Sequence, residues 1–268
     1  MLLRFAVALW IFSTLPVQAQ TPQVVDGGVL NGASFAKGQP VAPGSLVSIF
    51  GSDLASSTAQ YDSVPVSTTL EDVSVKFNNT AAPLTLVSGG QINALVPWKI
   101  LPQGASEPAT VVVTRGGRQS APVQFSIAAT APGVFSIPPG AGQAVAVNAD
   151  GTIAGPPGVI PDIQSHPAKI GDSGGLIIYA NGLGAVDSPI TDGAVSQDKI
   201  RNTLVTPTVL VGGVPVQVVF SGLSPQFPGV NQVNVFLPPG TPVGTNLPLQ
   251  IRIGDITSSD QVLISTSQ

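Results

Sequence analysis

Apolar and polar residues alternate along most of this chain. Val73-Ser-Val-Lys-Phe77 sets Val73, Val75 and Phe77 on one face and Ser74 and Lys76 on the other. Val123-Gln-Phe-Ser-Ile127 and Val214-Pro-Val-Gln-Val218 repeat the pattern. A period of two is that of a strand with one buried face. Gly116-Gly117, Gly212-Gly213, Asn78-Asn79 and Asp150-Gly151 separate such runs, and these are residues that a two-residue hairpin turn favours. Gly and Pro are spread throughout and interrupt every window with a helical period. Many short strands with turn signals about every 8–12 residues predict an all-β sandwich or barrel.

The pattern also occurs twice. Gly44-Ser-Leu-Val-Ser-Ile-Phe-Gly-Ser-Asp-Leu54 and Gly174-Gly-Leu-Ile-Ile-Tyr-Ala-Asn-Gly-Leu183 are each a strand ending in Ile-aromatic, then a turn and a Leu. Gln91-Ile-Asn-Ala-Leu-Val-Pro97 matches Gln232-Val-Asn-Val-Phe-Leu-Pro238. The second copy is longer, and the surplus falls around Asp187–Thr206, where a surface loop tolerates insertion. A duplicated β-domain follows, with residues 20–129 as one sandwich and 130–268 as the other. Residues 140–172 read as an addition to the second unit, with a hairpin of Gln143–Asn148 and Thr152–Ala154 followed by a Pro-rich loop. The linker at Ala129–Pro132 is short, which restricts the angle between the units.

Each unit resembles the IPT/TIG type of immunoglobulin-like domain. The residues that carry the likeness are Gly44 to Leu54, Val73 to Asn79, Gln91 to Pro97 and Val111 to Ser120. Almost the whole chain after its first residues is similar to an uncharacterised C-terminal domain family of exported Acidobacteria proteins, as in Solibacter. Its marks are Asn31-Gly-Ala-Ser-Phe35, Val41-Ala-Pro-Gly-Ser45, Gly90-Gln-Ile-Asn93, Ala131-Pro-Gly-Val-Phe135, Gly142-Gln143, Asn148-Ala-Asp-Gly151, Tyr179-Ala-Asn-Gly-Leu-Gly184 and Phe220-Ser-Gly-Leu-Ser-Pro225. The resemblance implies tandem immunoglobulin-like sandwiches, and it implies no activity. Members of that family usually end longer proteins, whereas here the motifs follow the amino terminus directly.

That terminus adds a compartment. Arg4 precedes an apolar run from Phe5 to Leu15, and Val17-Gln-Ala19 offers small residues at a cleavage site. This is the layout of a secretory signal peptide over residues 1–19. The run is about half of the roughly 20 residues that span a bilayer, and later apolar runs are shorter still. The protein is therefore expected outside the cytoplasm, extracellular or periplasmic, without a membrane span. It has no cysteine, so core packing alone holds it. Only 9% of residues are charged and the net charge is −4. Ten scattered Lys and Arg cannot build a phosphate-binding stripe, so nucleic acid is set aside.

Candidate chemistry is sparse. Gly171-Asp-Ser-Gly-Gly175 spells a serine-protease nucleophile loop, yet the chain has a single histidine, His166, only seven residues before Ser173. A triad needs a base oriented by a carboxylate, and the two glycines fit a turn before the repeated strand. His166 otherwise reads as an exposed loop residue, and one His without Cys makes no zinc site. Asn148, Asp150 and Gly151 suit a turn better than calcium, which wants several carboxylates. Glu71-Asp72, adjacent in an extended segment, point to opposite faces. No catalytic residue, metal or cofactor is assigned.

Binding residues are few. Trp98 follows the Gln-Ile-Asn strand and either caps the first sandwich or anchors a contact, since Trp is enriched in hot spots. Tyr61 lies in a Ser/Thr-rich loop. Gln91 with Asn93, and Gln232 with Asn234, form amide pairs on one strand face, serving either a partner or the fold itself. The reading is a non-catalytic interaction module for a protein or envelope partner, engaged through loops or lightly guarded strand edges. A self-associating structural spacer is the alternative, and a carbohydrate-binding module or hydrolase ranks below it.

Overall fold

A computed structural model describes residues 20–100, 107–171 and 175–268 of the 268-residue chain. The segment read as a signal peptide, and Asp172, Ser173 and Gly174 of the protease-like motif, lie outside the described residues. Among the described residues every regular element is a β-strand, and no helix is long and apolar enough to cross a membrane. The all-β expectation holds because alternation buries one side of each strand. Val73, Val75 and Phe77 are fully buried while Lys76 is exposed. Phe77 packs edge-on against Phe125, ring centroids 5.3 Å apart. In Val214–Leu223 the alternation is looser, and Val214 itself is exposed at the hairpin end.

Two apolar cores result. One gathers residues from Val29 to Ile127, the other from Val134 to Ile264. Around the first, a five-stranded sheet runs in the order Gln23–Asn31, Leu46–Ser52, Gln91–Leu95, Leu84–Val87, Ala59–Gln60. A six-stranded sheet centred on Val73–Phe77 and Glu107–Arg115 faces it. Around the second, one continuous sheet curls through fourteen strands, centred on Leu176–Asn181, Asn231–Phe236 and Val214–Leu223. Arg115 pairs with Arg118 across Gly116-Gly117, and Val211 with Val214 across Gly212-Gly213, as two-residue turns.

The internal repeat has the same register in both cores. Ile49 pairs with Ile92 and Phe50 with Gln91, just as Ile178 pairs with Val233 and Tyr179 with Gln232. Ile49, Ile92, Ile178 and Val233 face inward and are fully buried. The aromatic partners face outward and are half-buried, Phe50 beside Phe35 and Tyr179 beside Phe227.

Three expectations change. The hairpin drawn as Gln143–Asn148 breaks at Val145. Ala146–Asn148 turns through Asp150-Gly151 to Ile153–Ala154, while Gly142–Ala144 joins Val262–Ser267 in parallel. Ala168–Lys169 continues along the same strand, so Gly142–Ala144 and Ala168–Lys169 together cover the outer edge of Val262–Ser267. Strand edges are accordingly better guarded than composition suggests. The long edge strand Gln23–Asn31 carries a bulge between Val24 and Val29 with Asp26 exposed, a device that resists strand addition. Finally, the Asp187–Thr206 surplus is no idle loop, because it bonds to Trp98 and Val66 beside the first core.

Candidate functional site: the cleft between the two cores

The junction is built from polar side chains at its centre. Asn181 is fully buried, and Asn31 is nearly so. The Asn181 amide donates to Asn31 Oδ1 at 3.1 Å and to the Leu46 carbonyl at 2.7 Å, while its Oδ1 accepts the Leu46 N–H at 3.0 Å. Asn31 Nδ2 donates to the Ala131 carbonyl at 2.8 Å, and Asn31 Oδ1 also accepts the N–H groups of Ala33 and Ser34. Gly182 O accepts the Ala131 N–H at 2.8 Å. A Cβ on Gly182, at φ +73°, would strike the Ala131 carbonyl. Each polar atom of both amides thus has a partner, drawn from the opposite core, the linker and the adjacent Ala33–Ser34 turn, which is how buried polar groups limit a desolvation cost. The Asn31, Ala131 and Asn181 motifs, far apart in sequence, are one structure.

Beside this node lies a cleft walled by both cores. Its lining includes Trp98, Leu95 and Gly44 from the first, and Asp192, Leu223 and Phe227 from the second. A turn closed by Ile100 N–H to Pro97 O carries Trp98. The Trp98 ring lies directly on Gly44, leaving no space for a Cβ there, and Gly44 takes a left-handed φ of +76°. Ser224 Oγ accepts the N–H groups of Gln226 and Phe227, fixing the turn that presents Phe227, which is 44% exposed. The cleft floor has room for about one water molecule. It is too narrow to enclose a sugar ring or a drug-sized ligand.

Asp192 comes from the Asp187–Thr206 loop. Its Oδ1 accepts the Trp98 backbone N–H at 2.9 Å, and the adjacent Gly193 carbonyl accepts the Val66 N–H. The loop is braced by Arg201, which is 5% exposed. Arg201 Nε donates to the Pro189 carbonyl at 3.0 Å, Nη1 to Ser196 Oγ, and both Nη groups to the Asp198 carboxylate. That hydrogen bonding holds Asp198 down to about 2 and pushes Arg201 further up. Sequence reasoning missed this site because neither Asp192 nor Phe227 stands out by motif.

Of the residues singled out in sequence, only Trp98 lines the cleft. It is half-buried, so both readings meet in it: the ring closes one end of the sandwich and also faces a groove. Tyr61 is half-buried elsewhere, its N–H bonded to the Thr85 carbonyl. Gln91 Nε2 donates to Asn93 Oδ1 at 2.8 Å, and Ser48 Oγ donates to the same oxygen at 2.9 Å. Gln232 Nε2 donates to Asn234 Oδ1 at 2.9 Å. Each pair bonds within itself, and none of the four side chains lines the cleft.

His166 is not a free loop residue. It sits in the short strand Ser165–His166, and its Nε2 meets Asp150 Oδ2 at 2.8 Å while Nδ1 meets the Pro167 carbonyl at 2.8 Å. Both partners are acceptors, an arrangement that favours the doubly protonated imidazolium over the neutral ring. The hydrogen bond to Asp150, then that to Pro167, raises the imidazole above its ordinary value. In return His166, then Thr152, holds Asp150 far below the usual carboxylate range. As arranged, the imidazole has both ring nitrogens already engaged in hydrogen bonds. It pins the Asp150-Gly151 turn, and Asn148 Nδ2 reinforces it by donating to the His166 carbonyl at 3.1 Å.

A pH dependence follows. His166, with its raised folded value, adds stability that is fully present below the unfolded value near 6.5 and is lost as pH rises through the folded one. Asp150, with its depressed value, adds stability present above about 3.9 and lost as pH falls through its folded value. Because the chain has one histidine, its imidazole proton resonance reports this site alone. It should titrate above 6.5, and Asp150→Asn should return it toward 6.5. A wild-type midpoint at or below the ordinary value would show that the pair does not form.

The fold and cleft define an immunoglobulin-like β-sandwich protein. Residues 32–127, the segment enclosing the first core, match the family model of the IPT/TIG domain. Such domains are in general non-enzymatic interaction modules. No curated protein matches the chain.

Proposed function

We propose that the chain is an exported, non-catalytic interaction module of two immunoglobulin-like units, residues 20–129 and 130–268, which binds a protein or cell-envelope partner at the cleft between them. The observation that carries this reading is the pairing of half-buried Trp98 with exposed Phe227 across that cleft. Rigid aromatic anchors at a groove supply large contact area at low entropic cost. The guarded strand edges favour loops over strand addition. The motifs converging on the junction support membership of the exported C-terminal domain family of Acidobacteria proteins.

The test is co-sedimentation of the full chain with washed host envelopes and insoluble polysaccharides. Saturable binding is expected, weakened at least about tenfold by Phe227→Ala and by Trp98→Ala. Binding that survives both substitutions would move the site off the cleft. A second reading, self-association, is favoured by exposed Ile200, Leu204, Val205 and Val219, whose relative exposures run from 52% to 71%. Light scattering that shows concentration-dependent assembly, with no sedimentation on any surface, would select it.

A further inference from the structure

The cleft has a chemistry that narrows its partner. We propose that it receives the side chain of a lysine from a partner protein, the ammonium group seated against Asp192 between Trp98 and Phe227. This rests on the interaction-module reading and names what that site recognises.

Three observations converge. First, charge is complementary. Asp192 spends Oδ1 on the Trp98 N–H and has no cationic group within ion-pair distance among the described residues, since the two ion pairs there are His166–Asp150 and Arg201–Asp198. Lys99, though next to Trp98 in sequence, is exposed and stands beyond that distance from Asp192. A carboxylate in a half-buried, partly apolar groove attracts a cation more strongly than one in open water does. Second, two aromatic side chains line the same groove, and aromatic faces attract alkylammonium groups through their quadrupoles. Ile190, Leu223 and Val230 add apolar surface for a methylene stem. Third, size discriminates. Space for about one water suits a compact ammonium group better than a planar guanidinium or a sugar ring.

Asp192 is also the hinge of the test, because Asp192→Asn keeps an oxygen for the Trp98 N–H and removes only the charge. The full chain is titrated with Nα-acetyl-lysine amide, with Nα-acetyl-norleucine amide as its uncharged counterpart, and with glucose. The Trp98 indole resonance, assigned by its loss in Trp98→Phe, is the readout. The lysine amide should shift that resonance saturably, bind at least about tenfold more tightly than the norleucine amide, and weaken as salt is raised. Asp192→Asn should remove most of the preference while leaving the fold intact by circular dichroism. Equal binding of the norleucine amide, or saturable binding of glucose alone, would overturn the ammonium assignment. No response to any of the three, with envelope binding still lost in Phe227→Ala, would overturn it while the cleft remains the docking site. Loss of both would remove the cleft reading as well.

Discussion

Asn181→Ala is expected to destabilise the protein by about 3 kcal/mol in denaturant unfolding. The side chain is fully buried and makes three hydrogen bonds at 2.7, 3.0 and 3.1 Å. Its removal leaves the Leu46 N–H without that acceptor, which costs about 1–3 kcal/mol, and forfeits two further bonds worth about 1 kcal/mol each. The Leu46 carbonyl keeps a donor in the Gly32 N–H, which limits the damage on that side. Asn181→Asp sharpens the test. It preserves the acceptor for Leu46 N–H but sets a carboxylate oxygen against the Leu46 carbonyl and Asn31 Oδ1, so it should cost at least as much. Because the node joins both cores, the wild type should unfold in one transition with equal calorimetric and van't Hoff enthalpies. Two resolved wild-type transitions, or a loss under about 1 kcal/mol in both variants, would show that the junction is not what holds the cores together.

Arg201→Met should cost about 2 kcal/mol, with the effect concentrated in one loop. Breaking a fully buried ion pair typically costs about 3–5 kcal/mol, but the Asp198 side chain is 64% exposed and returns to water when its partner leaves. What remains is the loss of donors to the Pro189 carbonyl and Ser196 Oγ. Hydrogen exchange should therefore quicken across about residues 187–200 and at Trp98, whose N–H depends on Asp192 in that loop. Protection unchanged in the loop would mean that packing alone orders it. The same variant tests the cleft indirectly, since a loosened Asp192 should weaken any cation bound there.

Much of the architecture was legible because alternation is a local property. A strand with Val73, Val75 and Phe77 on one side has a single way to bury them, and the Gly-Gly turns fixed which runs pair as hairpins. The repeat was legible for the same reason. Matching Gln-x-Asn strands implied matching registers, and both cores show them. Where expectation and structure part, the deciding contact is long-range. His166 pairs with Asp150 across sixteen residues, and neither neighbourhood announces the other. The Asp187–Thr206 surplus resembles a tolerated loop until Arg201 is seen to brace it and Asp192 to reach Trp98.

The sequence by itself determined the fold class and the absence of disulfide chemistry, because these depend on residue type and spacing along one chain. It also flagged the Asn31-Gly, Ala131-Pro-Gly and Asn181-Gly motifs without giving their purpose. Only the tertiary structure decided that they meet in one buried node and that Trp98, Asp192 and Phe227 share a cleft. The physical reason is burial. A buried amide must find hydrogen-bond partners, and those that join the two cores here lie 100, 135 and 150 residues away, a distance no local pattern encodes.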